Sequence, residues 1–347
     1  MPRIRARHAS VTLQNGKMLC VLGGRDTADQ LITAIDCYDP ATDTWMAEVM
    51  NIPGDYLSSD FAVHTTKDDV VYMIGGYNQK YEALSQVTLV DMSDLSNIQF
   101  TKGVPIDTPR GDITSAPMTD DGSTIMISGG FTHLNDFATP LNSVEQYDIG
   151  AQSWGDVDAL NEERGDKQLI NLNGKVYAIG GEGRVDASGL VSDEVFAIAA
   201  GQGSIVLDTV EVLDLTSAND AANDEEEDEE VAAAEWKTHG DMPSSLFRFG
   251  ASGWEEGGGS STSTDGSGGD GVIFVFGGQV GFEAECECFH TTEKVLVFDP
   301  SKQEAQSMTD GVGKGSAAGG NNAGVAIGGK MIVVGYVVAA MVTVLFV

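Results

Sequence analysis

Residues Lys175 to Gly181 read KVYAIGG, an apolar run closing on two glycines. The same pattern closes at Gly23-Gly24 (MLCVLGG), Gly75-Gly76 (VVYMIGG), Gly129-Gly130 (TIMISGG) and Gly277-Gly278 (VIFVFGG). Successive doublets are 52, 54, 51 and 97 residues apart. A recurrence at this spacing marks a repeat architecture rather than a chain of unrelated elements.

Downstream of each doublet an apolar strand ends in Asp: AIDCYDP (Asp39), VTLVDMS (Asp91), VEQYDIG (Asp148), VEVLDLT (Asp214) and VLVFDPS (Asp299). An aromatic residue follows four of them, at Trp45, Phe100, Trp154 and Trp236. Upstream, each unit opens on a short β-like run: His8 to Leu13, Phe61 to Thr66, ITSAPM, Gln168 to Leu172, and Phe249 to Trp254. Four strands of about five residues fit each period of about 50. One such sheet cannot bury its own faces, whereas several set radially cover one another, which predicts an all-β propeller.

The order of Arg, apolar strand, Gly-Lys hairpin (Gly16-Lys17, Gly174-Lys175), strand with Gly-Gly, strand with Tyr-Asp, then Trp resembles the kelch repeat. The resemblance covers five units from Arg7 to Asp310. It weakens in the second, where Phe100 stands for Trp, and in the fifth, where no aromatic follows Asp299. A sixth, eroded unit is read from Ala323, with Gly335-Tyr336 in the doublet's place. The expectation is one kelch-type propeller over residues 1–347, six blades with the last incomplete, interrupted by flexible inserted loops at 183–203, 219–235 and 257–271. The glycines and aromatics are assigned to the scaffold, with the aromatics packed between adjacent blades.

Kelch-like propellers hold partners with loops at one mouth, where arginines near each first strand receive acidic groups. The resemblance therefore implies partner binding by Arg7, Arg110, Arg164 and Arg248, expected at equal height about the axis. Bidentate pairing with carboxylates would follow. The set is incomplete, since Tyr56 to Asp60 holds no Arg and the last unit offers only Lys314. The competing reading pairs each Arg with a carboxylate of its own or the neighbouring blade.

Nineteen Lys plus Arg stand against 53 Asp plus Glu, a net charge of −34, so binding to nucleic acid is disfavoured. Asp220, Asp224 to Glu230 and Glu235 form an acidic block. It either docks a basic partner, occupies the chain's own Arg-bearing mouth, or simply solvates a loop. EAECECFH (Glu283 to His290) gathers thiols, carboxylates and an imidazole, but Cys286 and Cys288 lie too close for structural zinc, so no metal site and no cofactor is assigned. Cys20 and Cys37 fall on neighbouring strands and are left open between thiol and bridge.

The start carries no apolar signal-peptide core and no Asn-x-Ser/Thr acceptor occurs, which favours a cytoplasmic protein. Met331 to Val347 is free of charge and holds seven Val, more like strands than a membrane helix. Membrane association through that tail is the alternative. The functional expectation is a protein-binding module without chemistry of its own. The second reading is a sugar-oxidising or sugar-epimerising enzyme of the same fold.

Overall fold

The computed structural model describes residues 1–134, 137–186, 195–199, 202–216, 234–254, 271–283, 288–300 and 306–307. Blade one comprises β1 (Ala9–Leu13), β2 (Met18–Leu22), β3 (Ala34–Asp39) and β4 (Thr44–Asn51). Blade two comprises β5 (Ala62–Thr65), β6 (Val70–Ile74), β7 (Val87–Asp91) and β8 (Gln99–Lys102). Blade three starts with β9 (Thr114–Pro117) and β10 (Thr124–Ser128), sends out the hairpin β11 (Phe131–Leu134) and β12 (Phe137–Pro140), and closes with β13 (Val144–Asp148) and β14 (Ser153–Val157).

Blade four holds β15 (Gln168–Leu172), β16 (Lys175–Asp186), β17 (Val195–Ala199), β18 (Gln202–Asp214) and β19 (Trp236–Asp241). Blade five has β20 (Gly250–Trp254) and β21 (Val272–Phe276), the hairpin β22 (Gln279–Glu283) and β23 (Cys288–Thr291), then β24 (Val295–Phe298) and β25 (Gln306–Ser307). All pairings are antiparallel, and the first strands β1, β5, β9, β15 and β20 pack side by side in that order. These five sheets have the propeller arrangement read from the repeat. The sixth unit, from Ala323 onward, lies outside the described residues.

The core sits between blades rather than within them. Val11, Leu13, Leu22 and Ile35 of blade one meet Phe61, Val71 and Met73 of blade two. Ile74 and Val87 then meet Ile113, Ile125 and Ile127, Met126 and Val144 meet Leu169 and Val176, and Ile179 and Val210 meet Phe249, Ile273 and Val275. Second strands such as MLCVL and VVYMI are apolar without alternation because both of their faces are covered. Each large side chain so buried contributes roughly 1.5–3 kcal/mol.

The Asp that ends each third strand has a local task. Asp39 accepts from the Ala41 N–H at 2.8 Å, Asp148 from the Ala151 N–H at 2.8 Å, and Asp214 from the Thr216 N–H at 3.0 Å. A short acceptor at that point fixes the turn into the fourth strand. The aromatic residues behave less uniformly than expected. Trp236 is buried among blade-three and blade-four side chains, whereas Trp45 lies 5.2 Å from Tyr38 and Trp154 4.8 Å from Tyr147, each in its own blade, with Trp154 Nε1 also donating to the Val104 carbonyl at 2.9 Å.

One inserted segment departs from the sequence reading. Residues 183–203, expected as a flexible loop, begin and end as strand, with Gly183 opposite Ile205 and Asp186 opposite Gln202. The β-prone run Ile205, Val206 and Leu207 belongs to the long strand β18 and extends the hairpin. The insertions 219–235 and 257–271 fall outside the described residues except at their ends, as does Cys286. Cys20 and Cys37 face each other across β2 and β3 and form a disulfide buried against blade two.

Candidate partner-binding mouth

The segment before each first strand is an arm that pairs with the residue just beyond the doublet. Ala6 pairs with Arg25, Ser59 with Tyr77, Gly111 with Phe131, Gly165 with Glu182, and Phe247 with Gln279. Arms and post-doublet loops therefore share one face of the ring. The next arm residue is Arg7, Asp60, Asp112, Asp166 or Arg248, each with φ between 52° and 58°. Left-handed backbone at five non-glycine positions is uncommon, and here hydrogen bonds hold it. Four of the five N–H groups donate to the preceding blade's carbonyl: Asp60 to Arg7 at 3.0 Å, Asp112 to Asp60 at 2.9 Å, Asp166 to Asp112 at 3.1 Å, and Arg248 to Asp166 at 3.0 Å.

These five side chains make the hub. Arg7 Nη1 lies 3.1 Å from Asp60 Oδ1, and Arg248 Nε lies 2.9 Å from Asp166 Oδ2. Asp112, between the two ion pairs, accepts a hydrogen bond from the Tyr77 hydroxyl at 3.0 Å. Burial and then the Asp166 and Asp60 charges push the Asp112 carboxyl well above the usual carboxylate range. Asp166 holds the Arg248 guanidinium above its ordinary value.

The four arginines expected at one height divide into two sets. Arg7 and Arg248 occupy the hub position, with side chains 32% and 34% exposed. Arg110 and Arg164 stand two residues before it, in register with Arg5, and are fully buried. Arg110 pairs with Glu145 at 2.6 Å and caps the Gly129 and Ser143 carbonyls. Arg164 pairs with Glu211 at 2.8 Å and caps Gly180 and Thr209. Arg5 does the same with Asp36, Gly23 and Ala34. These three staple the doublet to the third strand of their own blade, and their guanidiniums are buried.

Post-doublet loops surround the hub with rings and guanidiniums. The Arg25 guanidinium lies 3.7 Å from the Tyr81 ring centre and donates to the Asn78 carbonyl at 2.6 Å. Tyr81 donates to Asp29 at 2.6 Å, and the Arg7 guanidinium is 5.6 Å from the same ring. Arg184 rests 4.8 Å above Phe131 and pairs with Glu182. Sequence reading missed the hub carboxylates. The signal was the repeated Arg-Gly-Asp at Arg110–Asp112 and Arg164–Asp166, which aligns with Arg5-Ala6-Arg7. Among the described residues no group of three or more His, Cys, Asp or Glu is placed to hold a metal ion. No described helix is long and apolar enough to cross a membrane, and Met331 to Val347 lies outside the described residues.

No family model matches the chain. Kelch-like protein 40 of Xenopus laevis is 26% identical over 163 residues, which are 46% of this chain and 24% of that protein. Kelch-like protein 40 of Mus musculus gives the same identity and coverage. Alpha-scruin of Limulus polyphemus is 24% identical over 200 residues, 56% of this chain and 21% of that protein. The matched part spans about a quarter of these relatives' length.

Proposed function

We propose that this chain, a kelch-repeat β-propeller, is a protein-binding module that presents the arm and post-doublet face to an acidic segment of a partner. The observation that carries this reading is the pair Arg7 and Arg248, two guanidiniums about one-third exposed, with the Tyr81 ring centre 5.6 Å from Arg7 and the Phe247 ring centre 5.2 Å from Arg248. Partly exposed guanidiniums beside aromatic rings can receive a carboxylate at short range, where the repulsion of the acidic surface at large is screened beyond about 8 Å. Arg110 and Arg164 serve the scaffold in this reading.

A random peptide library displayed on phage and selected on the full chain tests it. Enriched peptides are expected to be rich in Asp and Glu, and the affinity of a synthetic copy should fall at least about tenfold in Arg248→Ala, the loss of one charged hydrogen-bonded contact. Asp166 loses its guanidinium in that variant, so its melting temperature should fall as well, and the affinities are compared well below both melting transitions. Equal affinity for wild type and Arg248→Ala, or enrichment of peptides without carboxylates, would sink the assignment.

A further inference from the structure

The hub sets two acids side by side in a way that neither ion pair explains. Asp60 Oδ1 accepts from Arg7, while its Oδ2 is buried and receives no hydrogen bond. The side chain of Asp60 is only 7% exposed. The side chains beside it are the Ser59 hydroxyl, which itself accepts from Arg25 Nε at 2.9 Å, and the carboxyl of Asp112, whose N–H donates to the Asp60 carbonyl at 2.9 Å. Two ionised carboxylates cannot hydrogen-bond each other, since both are acceptors.

Every arm contributes a charged group facing Asp112: Arg7 from blade one, Asp60 from blade two, Asp166 from blade four and Arg248 from blade five. The Tyr77 hydroxyl donates from the loop after β6. Among the described residues the hub ion pairs run from Arg7 to Asp60 and from Arg248 to Asp166 rather than to Asp112.

We propose that the hub is a proton-binding site: at neutral pH one proton resides on the Asp112 carboxyl and is donated to Asp60 Oδ2. The five side chains then carry two positive and two negative charges around one neutral acid, and the hub is balanced. Loss of the proton sets three carboxylates against two guanidiniums and leaves Asp60 and Asp112 facing each other as anions. The site depends on the hub alone and holds whether or not the mouth captures a partner.

Denaturant unfolding of the full chain over a range of pH, wild type beside Asp112→Asn, tests this. A group protonated in the fold contributes stability that is complete below the ordinary carboxylate value of about 3.9 and is lost as pH rises toward its raised folded value. The wild-type unfolding constant, relative to that of the variant, should therefore rise about tenfold per pH unit above about 4, until Asp112 ionises. Asp112→Asn should be the more stable protein at neutral pH. Equal pH slopes would overturn the proposal. Should the variant not fold, infrared spectroscopy of the wild type decides: the carbonyl band of an un-ionised carboxylic acid is expected at neutral pH and should vanish with alkali. Asp60→Asn should move that disappearance to lower pH. A wild-type spectrum without the band at neutral pH overturns the assignment.

Discussion

Blade three and blade five join the same doublet to the same third strand with different chemistry. In blade three, Arg110 reaches over the Gly129 carbonyl to Glu145, a fully buried ion pair. At the equivalent positions blade five has Leu246 and Leu296, both buried in one apolar cluster. Blade two takes a third course with Ser58 and Thr88. The two positions change together from blade to blade, which is what a shared dry site demands: a buried charge must bring its partner, and a buried leucine must not face a charge.

Glycines with the same backbone differ as well. A Cβ on Gly129 would overlap the Arg164 carbonyl oxygen of the next arm, while a Cβ on Gly16, in the hairpin between β1 and β2, would meet nothing within 4 Å among the described residues. Both residues have positive φ, 56° and 80°. The difference teaches that the first glycine of this doublet is fixed by the next blade's arm and only secondarily by its own backbone. Gly129→Ala should therefore cost ~5 kcal/mol or more and leave little folded protein, and Gly16→Ala only the left-handed penalty of about 1–2 kcal/mol. Urea denaturation of the two variants reads this directly; similar losses would erase the distinction between the two glycines.

The staple offers the next largest effect. Arg110→Leu leaves Glu145 buried and unpaired and should cost about 3–5 kcal/mol. Adding Glu145→Leu reproduces the pair of blade five and should recover most of it. A remainder of ~1–3 kcal/mol is expected because the Asp107 N–H and the Gly129 and Ser143 carbonyls lose their partners. A double variant no better than the single would mean that the charged staple is not interchangeable with an apolar one.

The smallest effect concerns the residue following each hub position, which packs on the doublet's second glycine in every blade. It is His8, Phe61, Ile113, Lys167 and Phe249, three apolar residues and two bases. Lys167 is buried, with Nζ donating to the Ser128 carbonyl, and burial pushes its amine far down. Burial, then the Arg5 charge, brings His8 down to about 4. A base held neutral by the fold contributes stability that is complete above its unfolded value of about 6.5 and is lost as pH falls toward about 4. The wild type should lose about 2 kcal/mol over that interval, allowing for the part-exposed ring. In His8→Phe, which copies blades two and five, that loss should disappear. Parallel pH profiles would place the acid sensitivity elsewhere.

Some of this was legible in the sequence. The doublets, the Asp-ended third strands and the short opening runs gave all five inner strands to within about one residue, because each is a local demand: a positive φ, a turn acceptor, a strand covered on both faces. The arginines were legible as a set but not as two sets. Arg5, Arg110 and Arg164 differ from Arg7 and Arg248 by two residues along an arm with no strand pattern to set its register, and that shift separates a buried pair from an axial one.

The chain by itself determined the repeat, the radial packing it requires, and the residue types available to the hub. Only the tertiary structure decided that Arg7, Asp60, Asp112, Asp166 and Arg248 meet, since they are more than 50 residues apart in sequence and are joined by one hydrogen bond per blade. Periodicity encodes what each blade repeats. The charge of the hub depends on how the blades differ, and that sum exists only where all five arms reach the same axis.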